Sequence, residues 1–334
     1  MRRPIVVMND LRESGDVPAP GITARLLTGM ESGEALAMCR IGIVAVLTTS
    51  LLAHLGSVTT YFSDAAPLFG EYARAAFPTR WSLFFYFTSP LWVCAIYTVG
   101  VVAHVAWILG AWTRIAAVVS VVLWVSMLGR NPLLYGFPDQ LGLVLAVLLT
   151  CMPTGRAWSI DAWRARRGGG ARSQMEGAVP VWCRHLLQLQ IAVVYGVTGV
   201  LKTGTSWRES GTAIYYTLVN PLNRHFELPE VFAALHPWFL RPMTFGVVLW
   251  EVAFPLFVVL VWARTICGPR RWLPDLRALF LGFGICMHVG IQLAVYVVFF
   301  SVLMLAAYAC FLTPGEARAV ATRLRSVWRR GADD

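Results

Sequence analysis

Long apolar runs constrain this chain more than any other feature of its sequence. Eight stretches are nearly free of charge, at residues 35–56, 89–110, 114–128, 139–153, 182–202, 243–263, 276–291 and 294–312. A helix rises about 1.5 Å per residue, so about 20 residues cross the roughly 30 Å of bilayer hydrocarbon. With 57% hydrophobic and only 14% charged residues, the sequence predicts an all-α polytopic membrane protein of about eight transmembrane helices. The last two runs form one apolar stretch, which we divide near His288 to Gln292 because a single helix of that length exceeds a bilayer.

The distribution of basic residues predicts the orientation. Of 28 lysines and arginines, two lie within span ends and seven lie on one side of the predicted membrane: Arg74, Arg80, Arg130, Lys202, Arg208, Arg224 and Arg241. The other nineteen fall on the opposite side, which the positive-inside rule makes cytoplasmic. Both termini are then cytoplasmic, as tails 1–32 and 316–334, with an inner linker at 156–180 and long outer loops at 57–88 and 203–242. A bacterial inner membrane is the expected location.

Composition and motifs exclude several functional classes. The net charge of +10 lies between apolar runs rather than on one face, which favours contact with anionic lipid headgroups over nucleic acid. The seven cysteines contain no CxxC pair, and no His, Cys or carboxylate set has metal-ligand spacing, so no metal is expected. Phosphate-binding loops and serine-hydrolase motifs do not occur in the sequence either.

Ionisable side chains inside apolar runs are the candidates for function, since the membrane interior makes them costly. They are His54, His104, Arg130, Asp139, Lys202, Glu251 and His288. Most fall near the predicted outer face. His104 is interpreted as a packing residue.

Lys202 is the only lysine of the chain and ends the fifth apolar run. One interpretation is a lysine whose stem lies along the helix while its ammonium reaches the interface. The other is an amine partly desolvated beneath the outer loop. Unlike arginine, such a lysine can lose its proton and act as a base near neutral pH.

Glu251 and His288 lie deeper in their runs. Glu251 is either the partner of an ion pair with Lys202 or Arg130, or a carboxylate that handles protons or positions a substrate. His288 and Gln292 are four residues apart, so a helix places them on one face. They are either a hydrogen-bonded packing pair or part of a site.

Several stretches resemble a known membrane family, the HTTM-domain proteins, which include vitamin K-dependent gamma-carboxylase. The first is "LGAWTRIAAVVSVVLWVSMLGRNPLLYGFPDQLGLVLAVLLTCMPTGRAWSIDAW", and the second is "QLQIAVVYGVTGVLKTGTSWRESGTAIYYTL". "LWEVAFPL" and "MHVGIQLAVYVVFFSVLMLAAY" resemble later spans of the family. The resemblance covers about residues 33–315.

The resemblance implies a cofactor and a role for Lys202. The carboxylase uses reduced vitamin K, oxygen and carbon dioxide to carboxylate peptide glutamate, and one of its lysines activates the hydroquinone. That lysine matches Lys202 in "YGVTGVLKTGTSW", with Tyr195 and Trp207 also in place. The implied cofactor is reduced vitamin K or menaquinol. The stretch that contains Arg130, Asn131 and Tyr135 has asparagine in place of the carboxylase's histidine, and asparagine can hydrogen-bond a quinol oxygen but cannot take up a proton.

The predicted site therefore faces outward and combines two sets of residues. The catalytic set is Lys202, Glu251 and His288. The set expected to bind the cofactor is Arg130, Asn131, Tyr135, Tyr195, Trp207 and Gln292. Quinone and membrane lipid are the expected partners.

Two alternatives accompany this prediction. The stretch from Trp207 to Tyr216 is similar to that of SdpB-like proteins, which take part in maturing a secreted peptide toxin, so a secreted antimicrobial peptide is the alternative partner. A non-catalytic membrane protein, with Lys202 and Glu251 as a structural pair, is the other.

Ser206 and Glu209 also have the spacing of a capping box and predict a short interfacial helix.

Overall fold

The computed structural model of the chain describes residues 21–67, 70–168, 177–268, 270 and 272–333. Helices dominate it, as the apolar runs predict. They are α1 Glu34–Ala53, α2 Val58–Phe62, α3 Gly70–Ala76, α4 Pro90–Leu109, α5 Thr113–Arg130, α6 Phe137–Cys151, α7 Ile160–Arg167, α8 Val181–Leu201, α9 Thr205–Arg208, α10 Ala213–Val219, α11 Pro229–Leu235, α12 Arg241–Cys267, α13 Arg277–Ala294, α14 Phe300–Ala307 and α15 Pro314–Asp333. A two-stranded antiparallel ribbon pairs β1, Met30–Ser32, with β2, Ala178–Pro180.

Each predicted span coincides with a helix: α1, α4, α5, α6, α8, α12, α13, and α14 with the 3₁₀ turn that follows it. Within the described part of the chain, five helical stretches are long and apolar enough to cross a membrane, namely Glu34–Ala53, Pro90–Leu109, Thr113–Arg130, Pro229–Cys267 and Arg277–Ala294. α6 and α14 are apolar but shorter, and α8 has 21 residues but begins with polar side chains. The membrane class is therefore confirmed, while eight crossings and cytoplasmic termini stay predictions.

Hydrogen bonds between the ends of helices and the turns beside them define two ends of one bundle. At the end where α1 begins, here called the arginine-rich end, Arg40 Nη1 donates to the Thr154 carbonyl at 2.6 Å and Nη2 to the Trp158 carbonyl at 2.7 Å. At the opposite end, here called the Lys202 end, Tyr97 donates to the Leu51 carbonyl at 2.7 Å. α1 lies at the centre and packs against α4, α6 and α14.

Two local predictions were wrong. The last apolar stretch divides at residues 295–299, not near His288 to Gln292, because α13 continues to Ala294. The break contains Val298 at φ 49°, and the Tyr296 amide donates to the Asn223 carbonyl at 2.6 Å. A distant segment thus satisfies the backbone there, which hydropathy does not reveal.

The predicted capping box does not form either. Ser206 lies inside α9, whose N-cap is Gly204, and Glu209 is its C-cap. The chain then turns and starts a second short helix, α10, so the segment is two helices rather than one. Gly211, at φ 67° between them, produces this turn. The outer loops thus contain short helices, and the predicted linker contains α7 and β2, while residues 1–20 and 169–176 lie outside the described ones.

Two glycines allow α8 and α12 to pack closely. A Cβ at Gly199 would lie 2.8 Å from Glu251 Cβ and 2.9 Å from the Val252 amide nitrogen. A Cβ at Gly196 would lie 2.7 Å from Pro255 Cγ. Small residues three or four apart are a common way for membrane helices to approach each other. This contact brings the end of α8 against the middle of α12.

Candidate functional site

Lys202 and Glu251 form an ion pair at the Lys202 end. Lys202 is the C-cap of α8, and its Nζ donates to Glu251 Oε2 on α12. The side chains are 19% and 9% exposed, respectively. The ammonium also lies 5.1 Å from the centre of the Trp207 ring, a cation–π distance. Of the two partners that the sequence left open for Glu251, the structure chooses Lys202.

Arg208 fixes the backbone that carries Lys202. Its guanidinium donates to the carbonyl of Lys202 at 2.7 Å and to that of Val200 at 3.0 Å. These carbonyls belong to the last turn of α8, where helical partners are missing. A cation at a helix C-terminus also interacts favourably with its dipole. The short α9 therefore closes α8 and sets where the Lys202 side chain begins.

Three buried side chains make a hydrogen-bonded group nearby, here called the Tyr195 cluster: Tyr195, His288 and Tyr308. The Tyr195 hydroxyl lies 2.6 Å from His288 Nε2 and 2.5 Å from the Tyr308 hydroxyl. The three residues come from α8, α13 and the turn after α14, so this contact joins three helices. Gly284 makes room for it, since a Cβ there would lie 2.3 Å from the Tyr308 hydroxyl.

The Tyr195 cluster adjoins the Lys202–Glu251 pair. Tyr195 lies on α8 seven residues before Lys202, two helical turns along the same face. Glu251 comes directly after Trp250 on α12. Trp250 packs edge-on against the Tyr195 ring at 4.7 Å. The second half of the chain thus carries two neighbouring groups of ionisable side chains, the Lys202–Glu251 pair and the Tyr195 cluster.

Two polar atoms in and beside the Tyr195 cluster have no partner among the described residues. They are His288 Nδ1 and Gln292 Oε1, which are both buried. The Gln292 amide nitrogen is used structurally, since it donates to the Val298 carbonyl at 3.2 Å. His288 and Gln292 share one face of α13, as their spacing predicted. A buried atom without a partner points to an unseen ligand or water.

Arg130, Asn131 and Tyr135 lie on the first-half side of the bundle, at the end of α5 and on the turn after it. Arg130 Nη2 donates to the Ser63 carbonyl at 3.0 Å, and Asn131 Nδ2 lies 3.5 Å from the Tyr61 carbonyl oxygen. The described contacts of these residues stay within the first half. A ring contact does connect the halves, since Phe300, packed on His288 at 5.5 Å, also contacts Phe137 at 5.8 Å. Their role in cofactor binding stays a prediction.

Two other ionisable residues have local structural partners. Trp124 Nε1 donates to His104 Nε2 at 2.9 Å, and the other ring nitrogen of His104 lies 2.8 Å from the Gly100 carbonyl oxygen. Asp139 accepts from the Gly136 amide at 2.9 Å and caps the start of α6. Among the residues described, no group of three His, Cys, Asp or Glu could hold a metal.

Sequence reasoning missed Tyr308, Trp250 and Arg208. Tyr308 had a visible signal, because a tyrosine within an apolar run must find a partner for its hydroxyl. Trp250 sits next to Glu251 and donates to the Phe280 carbonyl at 3.2 Å. Arg208 had no signal beyond its place after the helix.

The sequence matches a known protein family. The family model of the HTTM domain matches residues 32–315, most of the chain. No solved structure matches it.

Proposed function

The chain belongs to the HTTM family, and from this premise we propose that it is a membrane enzyme that activates a reduced quinone of the vitamin K or menaquinol type at Lys202. The carboxylase-like resemblance supports this proposal, and so does the position of the predicted lysine. The cell membrane is the proposed location.

The carrying observation is the pairing of the only lysine with a nearly buried glutamate. A proton can pass between the two groups, giving either an ion pair or a neutral amine beside a protonated carboxyl. Removal from water disfavours the ion pair relative to the neutral pair. In the proposed mechanism Glu251 takes the proton of Lys202, which leaves the amine to accept one from a quinol hydroxyl. Arginine in place of Lys202 could not accept this proton.

The surroundings fit a quinol headgroup. His288 Nδ1 and Gln292 Oε1 offer a hydrogen-bond donor or acceptor without a partner, and a quinol has a hydroxyl that can meet either. The nearby wall is aromatic, with Trp250 packed on Phe283 at 5.4 Å. When bound, a reduced quinone supplies the electrons for reaction with oxygen. The protein's own residues position it and take its proton.

Tyr195 and Tyr308 would position this machinery. Their mutual hydrogen bond and the contact with His288 fix the imidazole ring, which leaves Nδ1 pointing away from the two tyrosines. Tyr308→Phe removes one hydroxyl without changing ring size. We expect it to lower the rate at saturating quinol by about tenfold, in line with one lost hydrogen bond of about 1.4 kcal/mol.

The test is oxygen-dependent conversion of menaquinol by the purified protein in lipid nanodiscs, with product identified by mass spectrometry. Wild-type protein should turn the quinol over, and Lys202→Arg should lose at least 100-fold in rate, because arginine keeps the charge but cannot give up its proton to act as a base. Arg224→Lys, on the exposed loop, is the matched control and should retain full activity. Absence of turnover, or equal turnover by Lys202→Arg, refutes the proposal.

The alternative of peptide maturation has its own support in the outer segment. There Tyr216, Leu222 and Trp238 are 57%, 86% and 86% exposed, respectively, which suits contact with a peptide or with lipid. Deleting the gene and assaying secreted antimicrobial peptide distinguishes the two functions. Loss of active peptide with no quinol turnover favours maturation.

A further inference from the structure

Arg130 is a buried arginine whose charge is left without a partner. Its side chain is 1% exposed. Its Nη2 donates to the Ser63 carbonyl at 3.0 Å, and its guanidinium lies 6.0 Å from the centre of the Phe85 ring. Nε and Nη1 have no partner within the described part of the chain, and none of the ion pairs found there includes Arg130.

Two other largely buried arginines show how this chain ordinarily satisfies such a group. Arg184 makes two bonds to the Glu31 carboxylate, at 2.9 Å and 2.7 Å. Arg40 donates to two carbonyls at 2.6 Å and 2.7 Å, and of its three side-chain nitrogens only Nε lacks a partner among the described residues. Arg130 has neither a carboxylate nor a set of carbonyls. It therefore differs from both arginines in the number and charge of the acceptors that stabilise a buried cation.

A buried charge without a partner is unfavourable, because the charge has lost water and gained nothing of equal strength. The end of α5 offers only the partial negative charge of a helix C-terminus. Two further buried atoms without partners lie on the turn that follows, namely Asn131 Oδ1 and the Tyr135 hydroxyl. Polar atoms of Arg130, Asn131 and Tyr135, all at one turn, therefore lack partners among the described residues. Packing alone does not account for such an arrangement.

From these observations we propose that Arg130 and the turn to Tyr135 bind a small planar carboxylate anion at the Lys202 end. The guanidinium presents N–H groups in a fixed fork that matches the two oxygens of a carboxylate. The Tyr135 hydroxyl can donate a further hydrogen bond, whereas Asn131 Oδ1 is an acceptor and does not bind the anion. Arg130 is almost completely buried, so its ligand must be a small anion. A lipid headgroup would need an opening to the surface, and such an opening would leave the guanidinium exposed. This site is separate from the Lys202–Glu251 pair and does not depend on quinol turnover.

The ligand enters at the turn itself. Leu133, between Asn131 and Tyr135, is 76% exposed, so the turn faces the surroundings while its polar side chains face inward. Arg80 lies at the same end and provides a matched comparison. It also donates to a carbonyl, that of Leu128 at 3.2 Å, and lies 5.7 Å from the centre of a ring, that of Phe77. Unlike Arg130, it is exposed.

The experiment measures the thermal unfolding of the full-length protein in nanodiscs, followed by tryptophan fluorescence. Sodium acetate and sodium formate are titrated against sodium chloride at equal ionic strength, with phosphate as a tetrahedral anion. For the wild type we expect acetate to raise Tm by on the order of 3 °C at saturation, with no such rise in chloride or phosphate. Arg130→Gln, which keeps a donor for the Ser63 carbonyl, should lose this rise. Arg80→Gln should keep it.

The unfolding temperature without acetate supplies a second readout. If Arg130 is an unpaired charge, Arg130→Gln should unfold at the wild-type temperature or above it, since the variant relieves the buried charge. Arg130→Lys keeps the charge but not the fork, and should weaken acetate binding at least tenfold. The proposal is overturned if acetate and chloride change the Tm of the wild type equally, in which case water is the partner of Arg130. It is also overturned if the rise in Tm with acetate survives in Arg130→Gln.

Discussion

A double-mutant cycle at Lys202 and Glu251 tests the description of their pair as a buried, interacting unit. Breaking a fully buried ion pair by removing one partner costs about 3–5 kcal/mol. Here the side chains keep 19% and 9% exposure, so a smaller value applies. We expect Lys202→Met to destabilise the protein by about 2–3 kcal/mol, because it leaves the Glu251 carboxylate without its cation beside Tyr195.

The two single variants should differ. Glu251→Leu leaves a lysine at the end of α8, and a lysine can extend its stem until the ammonium reaches water. Its cost should therefore be only about 1 kcal/mol. Glu251 in the middle of α12 has no such escape. The double variant Lys202→Met/Glu251→Leu should be close to the wild type, which gives a coupling energy of about 3–4 kcal/mol.

The assay is equilibrium unfolding in detergent micelles, with tryptophan fluorescence as the signal. Arg224 and Glu227 are the control pair, since they are three residues apart and their side chains are 25% and 83% exposed. The same cycle there should give less than about 0.5 kcal/mol of coupling. A coupling of that size at Lys202 and Glu251, or a larger cost for Glu251→Leu than for Lys202→Met, contradicts the reasoning.

Two further predictions concern packing and capping. Gly199→Ala should cost about 1–3 kcal/mol of unfolding free energy, because its Cβ meets the α12 backbone. Gly246→Ala on α12 is the control: a Cβ there has nothing within 4 Å, so this variant should be neutral or stabilising in the same unfolding assay. Asp161 is half-buried, and this desolvation raises the pKa of its carboxyl, but hydrogen bonds from Thr113 and Trp112 outweigh it and hold the pKa below the ordinary 3.8. The contribution of the Asp161 carboxylate to stability is then complete above pH 3.8 and lost as the pH falls below that value. Asp161→Asn should therefore cost about 1–3 kcal/mol of unfolding free energy at pH 7 and little in acid. Equal costs at both pH values would contradict this.

Hydropathy alone located the helices that match the eight predicted spans. A membrane-crossing helix must satisfy its own backbone hydrogen bonds and expose apolar side chains, so the requirement is local and visible in about 20 consecutive residues. For the same reason the cost of an ionisable group in such a run marked Lys202, Glu251 and His288 as exceptional. The spacing of His288 and Gln292 on one helix face was also a local property.

Tertiary structure alone decided which of these groups meet. Glu251 could have paired with Lys202 or Arg130, and the close approach of α8 and α12 at Gly199 selected Lys202. Tyr195 lies beside Tyr308, 113 positions along the chain, and the break at 295–299 depends on backbone bonds to Asn223. These contacts join residues far apart in sequence, and hydropathy carries no information about which helices become neighbours. The chain by itself determined where polar groups enter the apolar runs, and the packing of the helices determined which charged groups meet an opposite charge and which, like Arg130, meet none among the described residues.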